Sequence, residues 1–386
     1  MRTREFGAAF RDTTSSYKFF WCLAILDLLP ALDRPVGVRE LVKAMIIRAW
    51  AAVALFRLSL GKVDRLQACV RALQADTGLG ARTAPRRLET ELERWPALDR
   101  WVEELSRFVP GRFLGSWFAD IARATPYDRR GSRAVAVAAG RAWGTNASGP
   151  YRLLEEDGSL LVELAPGWQA WLEHHRALVI GFAEQQLTRY LQARNPSVPA
   201  IVRKLELPQR RSLTLARQWW NWAAAEPATM PITDIFSGQP LGTRFEIDHF
   251  LPWSFVAHDE FWNLCPTTAQ TNRGKSDRLP SLDLYLPRLA ALHTIIMRQP
   301  GLPRSLAASY GEFLGIDPNA LASLTSELVL SHYGRVIRPL AQIAINQGFP
   351  SDWRCPDNDL LTKEFASKGG GSKPVLLGSA TCEAKE

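Results

Sequence analysis

Residues 245–255 read FEIDHFLPWSF, with an acid and an imidazole side by side in a run that is otherwise apolar. Burying such groups is costly unless they are hydrogen-bonded, paired with a charge or bound to a metal. The pair therefore calls for an explanation, by pairing or by a bound metal. TRFEID alternates like a short half-buried strand, and Pro252 ends it, which leaves the pair at the strand's exit.

The residues downstream offer such partners. WNLCP is a second short apolar run, and Thr267 followed by Gln270 has the spacing of a capping box, which predicts a helix from there to the neighbourhood of Arg278, with Pro280 beyond. On that helix Asn272 and Lys275 are three residues apart and share a face. Strand exit, second strand and helix face can then converge on one point. The residue types gathered there suit metal-assisted hydrolysis of a phosphodiester. Asp248 and Asn272 offer hard oxygen ligands of the kind Mg²⁺ takes, with Mn²⁺ a possible substitute. His249 is placed to deprotonate a water, and Lys275 can set positive charge against a phosphate as negative charge develops.

Asn263 stands fifteen residues after Asp248, and Asn272 twenty-three after His249. With the run Asn272-Arg273-Gly274-Lys275-Ser276-Asp277, these positions make the stretch from about Phe236 to Ser281 resemble the HNH nuclease family, the ββα-metal finger. Within that family it is most similar to the HNH domain of RNA-guided CRISPR effector nucleases. The resemblance implies that Asp248 and Asn272 hold one divalent metal and that His249 is the general base. It also implies that Asn263 helps to hold the His loop, while Glu246 matches an acidic position beside the motif. Many HNH proteins bind a structural zinc through two Cys pairs; only Cys265 lies in this stretch, so no structural zinc is expected. The resemblance covers a small part of the 386 residues, and the rest does not look like an RNA-guided nuclease.

Outside this stretch the chain reads as mainly α-helical and multidomain. Residues 1–108 form a helical N-terminal region: SSYKFFWCLAILDLL repeats apolar residues at helical spacing behind a Ser cap, and VGVRELVKAMIIRAWAAVALFRLSL continues in the same way. GLGARTAPRRLE at 78–89 is a candidate linker. Residues 109–230 form a basic helical region. Its two apolar runs in YRLLEEDGSLLVEL, 151–164, meet at Asp157-Gly158, a strong hairpin signal. A long helix is expected from about Gly167 to Ala193. The nuclease module occupies 231–285, and further helices fill 286–365, broken at Gly301-Leu302-Pro303 and Asp317-Pro318. The polar, Gly-rich tail, 366–386, reads as disordered. Trp219, Trp220 and Trp222 read as core, and His174, His175, His258, His293 and His332 take no catalytic role.

Charge supports a polyanionic partner. Residues 1–230 carry 33 Lys and Arg against 23 Asp and Glu, and residues 231–386 carry 14 against 16. The surplus lies ahead of the Asp-His pair. Arg129, Arg130 and Arg133, with Arg273 beside the metal ligands, are candidate nucleic-acid contacts. The Trp117, Tyr127 and Trp143 rings interleaved with the arginines could stack on bases. Five widely spaced cysteines with no CxxC suggest neither a disulfide framework nor a zinc knuckle, and a reducing cytoplasm fits. The apolar stretches at 19–32 and 42–60 are interrupted by Asp27, Pro30, Lys43, Arg48 and Arg57, so no membrane anchor is expected. Gly61-Lys62 lacks the residues a phosphate loop needs.

The expectation is a metal-dependent HNH endonuclease that hydrolyses DNA, one strand per monomer, in prokaryotic genome or antiphage defence, where partner proteins could restrain or target it. Two alternatives stand beside it. One is an RNase with the same chemistry; the other is a non-catalytic nucleic-acid-binding subunit with a vestigial finger.

Overall fold

The computed structural model describes residues 2–11, 13–31, 34–126, 128–208, 213–225, 232–242 and 244–356. The fold is mainly α, with two small antiparallel sheets, in agreement with the helical periodicity. It divides into two compact units. The first gathers residues 1–211, 253–258 and 346–348; the second gathers 212–252, 259–345 and the residues from 349 on.

Helices α1 (Arg2–Ala8), α2 (Tyr17–Leu28), α3 (Val38–Trp50), α4 (Arg65–Thr77), α5 (Pro85–Arg94) and α6 (Leu98–Ser106) open the first unit. They are followed by α7 (Val109–Phe113), α8 (Ala119–Ala124), α9 (Arg129–Arg141), α10 (Pro166–His174) and α11 (Arg176–Arg194). Every residue of α2 from Phe19 to Leu26 is buried, so this helix is apolar all round and forms the unit's centre, packed against α3 and α11. Trp21 Nε1 donates to Tyr151 Oη, whose hydroxyl donates to the Pro110 carbonyl, tying α2 to the sheet and to α7. That sheet has the order β1 (Val36–Gly37), β3 (Ser159–Leu164), β2 (Tyr151–Glu156). The anticipated hairpin is formed. Asp157 and Gly158 both have positive φ, 50° and 74°, as a two-residue type I′ turn requires.

Three local expectations are corrected. Ser16 does not cap α2 through its side chain; its hydroxyl and amide instead donate to buried Asp64 at 2.7 and 2.9 Å. The α-helix expected through residue 60 ends at Trp50 in a π-turn over Ala51–Leu55, and Arg57 takes a left-handed conformation (φ 54°). The long helix expected over 167–193 is two helices. It breaks at His175, which leaves the helical region with φ −106° and ψ 15°, donates through Nδ1 to the Trp171 carbonyl and stacks on the Trp171 ring.

The second unit contains α12 (Thr214–Ala225), and β4 (Glu246–His249) antiparallel to β5 (Leu264–Thr267). The short α13 (Trp253–Val256) falls in the segment grouped with the first unit. Then come α14 (Ala269–Lys275), α15 (Leu282–Met297), α16 (Arg304–Leu314) and α17 (Ser326–Asn346), with breaks at Gly301-Leu302-Pro303 and Asp317-Pro318 as the sequence indicates. The helix after β5 is capped by Thr268, whose Oγ1 accepts from the Thr271 amide, one residue later than the capping-box pattern suggests, and it stops at Lys275. Phe349, Pro350 and Trp353 close over the unit: Pro350 O accepts from the Leu279 amide, and Trp353 packs edge-on against Phe236. Among the described residues, no helix is long and apolar enough to cross a membrane. Cys22, Cys69, Cys265 and Cys355 are free and buried.

His293 on α15 sits fully buried among Trp220, Phe261, Tyr310 and Tyr333. Its Nε2 donates to the Leu264 carbonyl at 3.1 Å, so Nδ1 accepts from the Tyr310 hydroxyl. Burial lowers its pKa to about 3, against an ordinary 6.5. The unfolded chain therefore takes up a proton between those values that the folded unit refuses. Stability held above pH 6.5 is lost as the pH falls toward 3, at about 1.4 kcal/mol per unit. Urea denaturation of the second unit at pH 7, 6 and 5 is expected to show this slope, and His293→Gln is expected to flatten it.

Candidate active site

Alternation along β4 turns Glu246 and Asp248 to one face and His249 to the other. Helix α14 packs on the Glu246 and Asp248 face. Asn272 Nδ2 donates to Glu246 Oε2 at 2.6 Å, which leaves the amide oxygen as the Asn272 atom that could meet a metal. Lys275 is fully buried, with its ammonium donating to the His249 carbonyl at 2.6 Å and lying 2.9 Å from Asp248 Oδ2. The same Asp248 oxygen is buried and lacks hydrogen-bond geometry to any donor, so its contact with Lys275 is an ion pair alone. The Phe236 ring lies 5.9 Å from the ammonium.

On the other face His249 Nε2 meets Asp259 Oδ1 at 2.8 Å. A carboxylate there accepts the Nε2 proton and favours the tautomer in which Nδ1 is the basic nitrogen. His249 and Asp248 are only 4% and 7% exposed, whereas Glu246, Asp259 and Asn272 are half-buried and form the open edge of the site.

The turn after β4 is held by Asn263, which is fully buried. Its Oδ1 accepts from the Leu251 amide at 2.8 Å, its Nδ2 donates to the Leu251 carbonyl at 3.0 Å, and its own carbonyl accepts from the Phe250 amide. This side chain therefore fixes both backbone groups of a residue two positions after His249. Asp234, also fully buried, braces the start of α14. One of its oxygens accepts from the Phe236 amide, and the other accepts from Thr267 Oγ1 and the Thr268 amide.

Residues 228–281 match the family profile described as HNH endonuclease. The chain carries an HNH endonuclease domain. No curated protein and no solved structure gave a significant match to the chain.

Within the HNH domain, the structure brings Glu246, Asp248, Asn272 and Lys275 together between β4 and α14, and sets His249 on the opposite face of the strand beside Asp259. Lys275 points inward rather than toward solvent, while Arg273 is exposed on the same helix. Arg130 and Arg133 are exposed on α9, in the other unit, and Arg129 is the first residue of that helix. Two acids escaped the sequence reading. Asp259 lies in the loop segment HDEF, and Asp234 precedes Asp248 by fourteen residues. The cost of burying His249 was a signal for Asp259; nothing in the local sequence pointed to Asp234.

Asn263→Ala removes both side-chain bonds to Leu251 and leaves those buried backbone groups unpaired. A loss on the order of 2–4 kcal/mol in the second unit is expected, read by urea denaturation. Asn263→Asp should also destabilise, because its carboxylate cannot donate to the Leu251 carbonyl.

Proposed function

We propose that the HNH domain hydrolyses DNA phosphodiester bonds with one divalent cation, Mg²⁺ or Mn²⁺. The observation that carries the reading is the buried Asp248 carboxylate, held in place by the Lys275 ammonium and set beside the Asn272 amide on α14. Among the described residues, no group of three or more His, Cys, Asp or Glu side chains is placed to hold a metal. A cation here would rest on Asp248 and Asn272, two hard oxygen donors, with water and phosphate oxygens completing its shell, as suits Mg²⁺ better than a softer metal. When bound, the ion supplies Lewis acidity and steadies the leaving oxygen.

The chain's own residues supply the remainder. Asp259 holds the proton of His249 at Nε2, so that Nδ1 can take a proton from the attacking water. Lys275 acts as a positioning residue: its ammonium fixes the Asp248 carboxylate and the His249 backbone together. Glu246 orients the Asn272 amide. Exposed Arg273, with Arg129, Arg130 and Arg133 at the start of α9, would contact phosphates. A single set of catalytic groups cuts one strand, so a monomer would nick. DNA is favoured over RNA by the resemblance of the motif, and a role in prokaryotic genome defence, with partner proteins restraining or targeting the nuclease, accords with a lone HNH domain beside a basic helical region. Loss of the gene should then raise sensitivity to at least one phage in a broad panel.

Purified protein in Mg²⁺ is expected to convert supercoiled plasmid to the open circle, with EDTA abolishing the conversion. His249→Ala should lower the rate by at least about 10²-fold with little change in DNA affinity. Asp259→Asn should lower it less and alter the pH profile of the rate. Faster cleavage of RNA than of DNA would reassign the substrate. Binding without metal-dependent cleavage, even in Mn²⁺, would leave a vestigial finger.

A further inference from the structure

Two cavities adjoin on the first unit. An open groove of about 850 Å³ runs along α8 and α9, with Ala134, Val137 and Ala138 in its lining and Arg130, Arg133 and Arg141 beside them. Val137 is 45% exposed there. Among the described residues, none of these three guanidinium groups pairs with a carboxylate; the nearby acids are engaged elsewhere, Asp120 with Arg123 and Asp128 with the Gly131 amide. Thr145 and Ala147 line both this groove and a second cleft of about 650 Å³.

The second cleft is walled by Trp117, Trp143 and Trp168, with Glu5 in its lining. Trp117 and Trp168 meet edge to face, 5.5 Å apart, and Arg152 lies 4.4 Å from the centre of the Trp143 ring. Trp117 Nε1 is buried without a hydrogen-bond partner, and Glu5 has no ion pair or hydrogen bond to any described side chain. An aromatic cleft with a carboxylate could in principle hold an organic cation, but the adjoining arginines repel one. They attract a polyanion instead. A duplex bound by its phosphates alone has no use for three tryptophan walls. A nucleotide whose base has left the stack uses every feature: phosphates on arginine, a flat face on indole, and a polar edge on a carboxylate.

We infer that the Trp117, Trp143 and Trp168 cleft receives an unpaired nucleobase, from a single strand or extruded from a duplex, while the flanking phosphates follow the Arg130, Arg133 and Arg141 groove. Glu5 accepts hydrogen bonds, so it favours a base with an exocyclic amino group, such as adenine or cytosine, over thymine, whose single N3–H is flanked by two carbonyl oxygens that the carboxylate repels. The inference rests on nucleic acid being the substrate and adds the form in which the strand is recognised.

The test uses the full chain carrying His249→Ala, in EDTA, so that binding is read without cleavage. The probes are a short duplex with one bulged 2-aminopurine, the same duplex with a bulged thymine, and the fully paired duplex. The bulged 2-aminopurine duplex is expected to bind more tightly than the paired one, and its emission should be quenched on binding by stacking on indole. Trp143→Ala should reduce that preference by about tenfold. Glu5→Gln should erase the preference for 2-aminopurine over thymine, and Arg133→Ala should weaken all three probes and flatten their salt dependence. Thermal melting checks that each variant is folded, and Glu5→Gln, at a position without a partner among the described residues, guards against misfolding of the Trp variant. Equal binding of bulged and paired duplexes, or an undiminished preference in folded Trp143→Ala, overturns the cleft while leaving DNA binding intact. Absence of binding to all three probes, or capture of an acidic amphipathic peptide in their place, overturns the inference together with the nucleic-acid role of α9.

Discussion

Lys275 carries its ammonium to a place that no water reaches, and the HNH domain is arranged around that group. A buried charge is tolerated only where an opposite charge and hydrogen-bond acceptors meet it. Here the acceptor is the His249 carbonyl and the opposite charge is Asp248. Both lie on one short strand, and Lys275 is the last residue of the helix that packs on it. Helix α14 has only seven residues, too few to persist on its own propensity. Its register on β4 is therefore set by tertiary contacts, and a shift of one residue would bury the ammonium without its partner. Asn272, three residues earlier on the same face, is brought to Glu246 by the same constraint.

The second strand is braced by different means. Asp234 collects four donors from the turn that follows it and from the start of α14, without a counter-ion, in the manner of a carboxylate used to organise backbone amides. His293 reaches β5 from α15 as a neutral ring, donating to the Leu264 carbonyl at the residue that pairs with His249. Asn263 does the work of a tight turn with an amide that mimics a backbone group. The two strands span four residues each, and three polar side chains fully enclosed in apolar surroundings set their geometry. Each is worth more there than at the surface, because the alternative is an unpaired buried group.

The HNH motif was legible in the sequence because Asp248 and His249 stood out against an apolar strand, with Asn263, Asn272 and Lys275 following at spacings that local structure could use. The hairpin at Asp157-Gly158 was legible for a similar reason, since few residues accept two consecutive positive φ angles. Partners across long separations were not legible. Asp259 in a polar loop and His293 in a helical run look like surface or packing residues until the fold sets them against His249 and Leu264. The break at His175 was also hidden, because the apolar spacing runs through it and the helix ends where the His175 amide and ring both bond the Trp171 carbonyl. Ser16 preceded an apolar helix as a cap would, but a buried carboxylate 48 residues away offered its hydroxyl a stronger acceptor than the helix offered donors.

The link between His249 and Asp259 shows why the motif is not a self-sufficient block of sequence. Nine residues join them, and the last six, 253–258, group with the first unit. There Lys204 donates to the Phe255 carbonyl and Arg203 to the Ala257 carbonyl, while Trp253 packs on Phe56 and beneath the Arg82 guanidinium. Lys204 is buried and, among the described residues, its ammonium meets that carbonyl and no carboxylate; burial lowers its pKa to about 7. An ammonium enclosed without a carboxylate stabilises nothing by charge, so its value at this point lies in the direction of one hydrogen bond. The segment that links the imidazole to its acid thus packs on residues far outside the 228–281 match. A fragment cut to the motif would keep both side chains and lose the anchors that hold the chain between them.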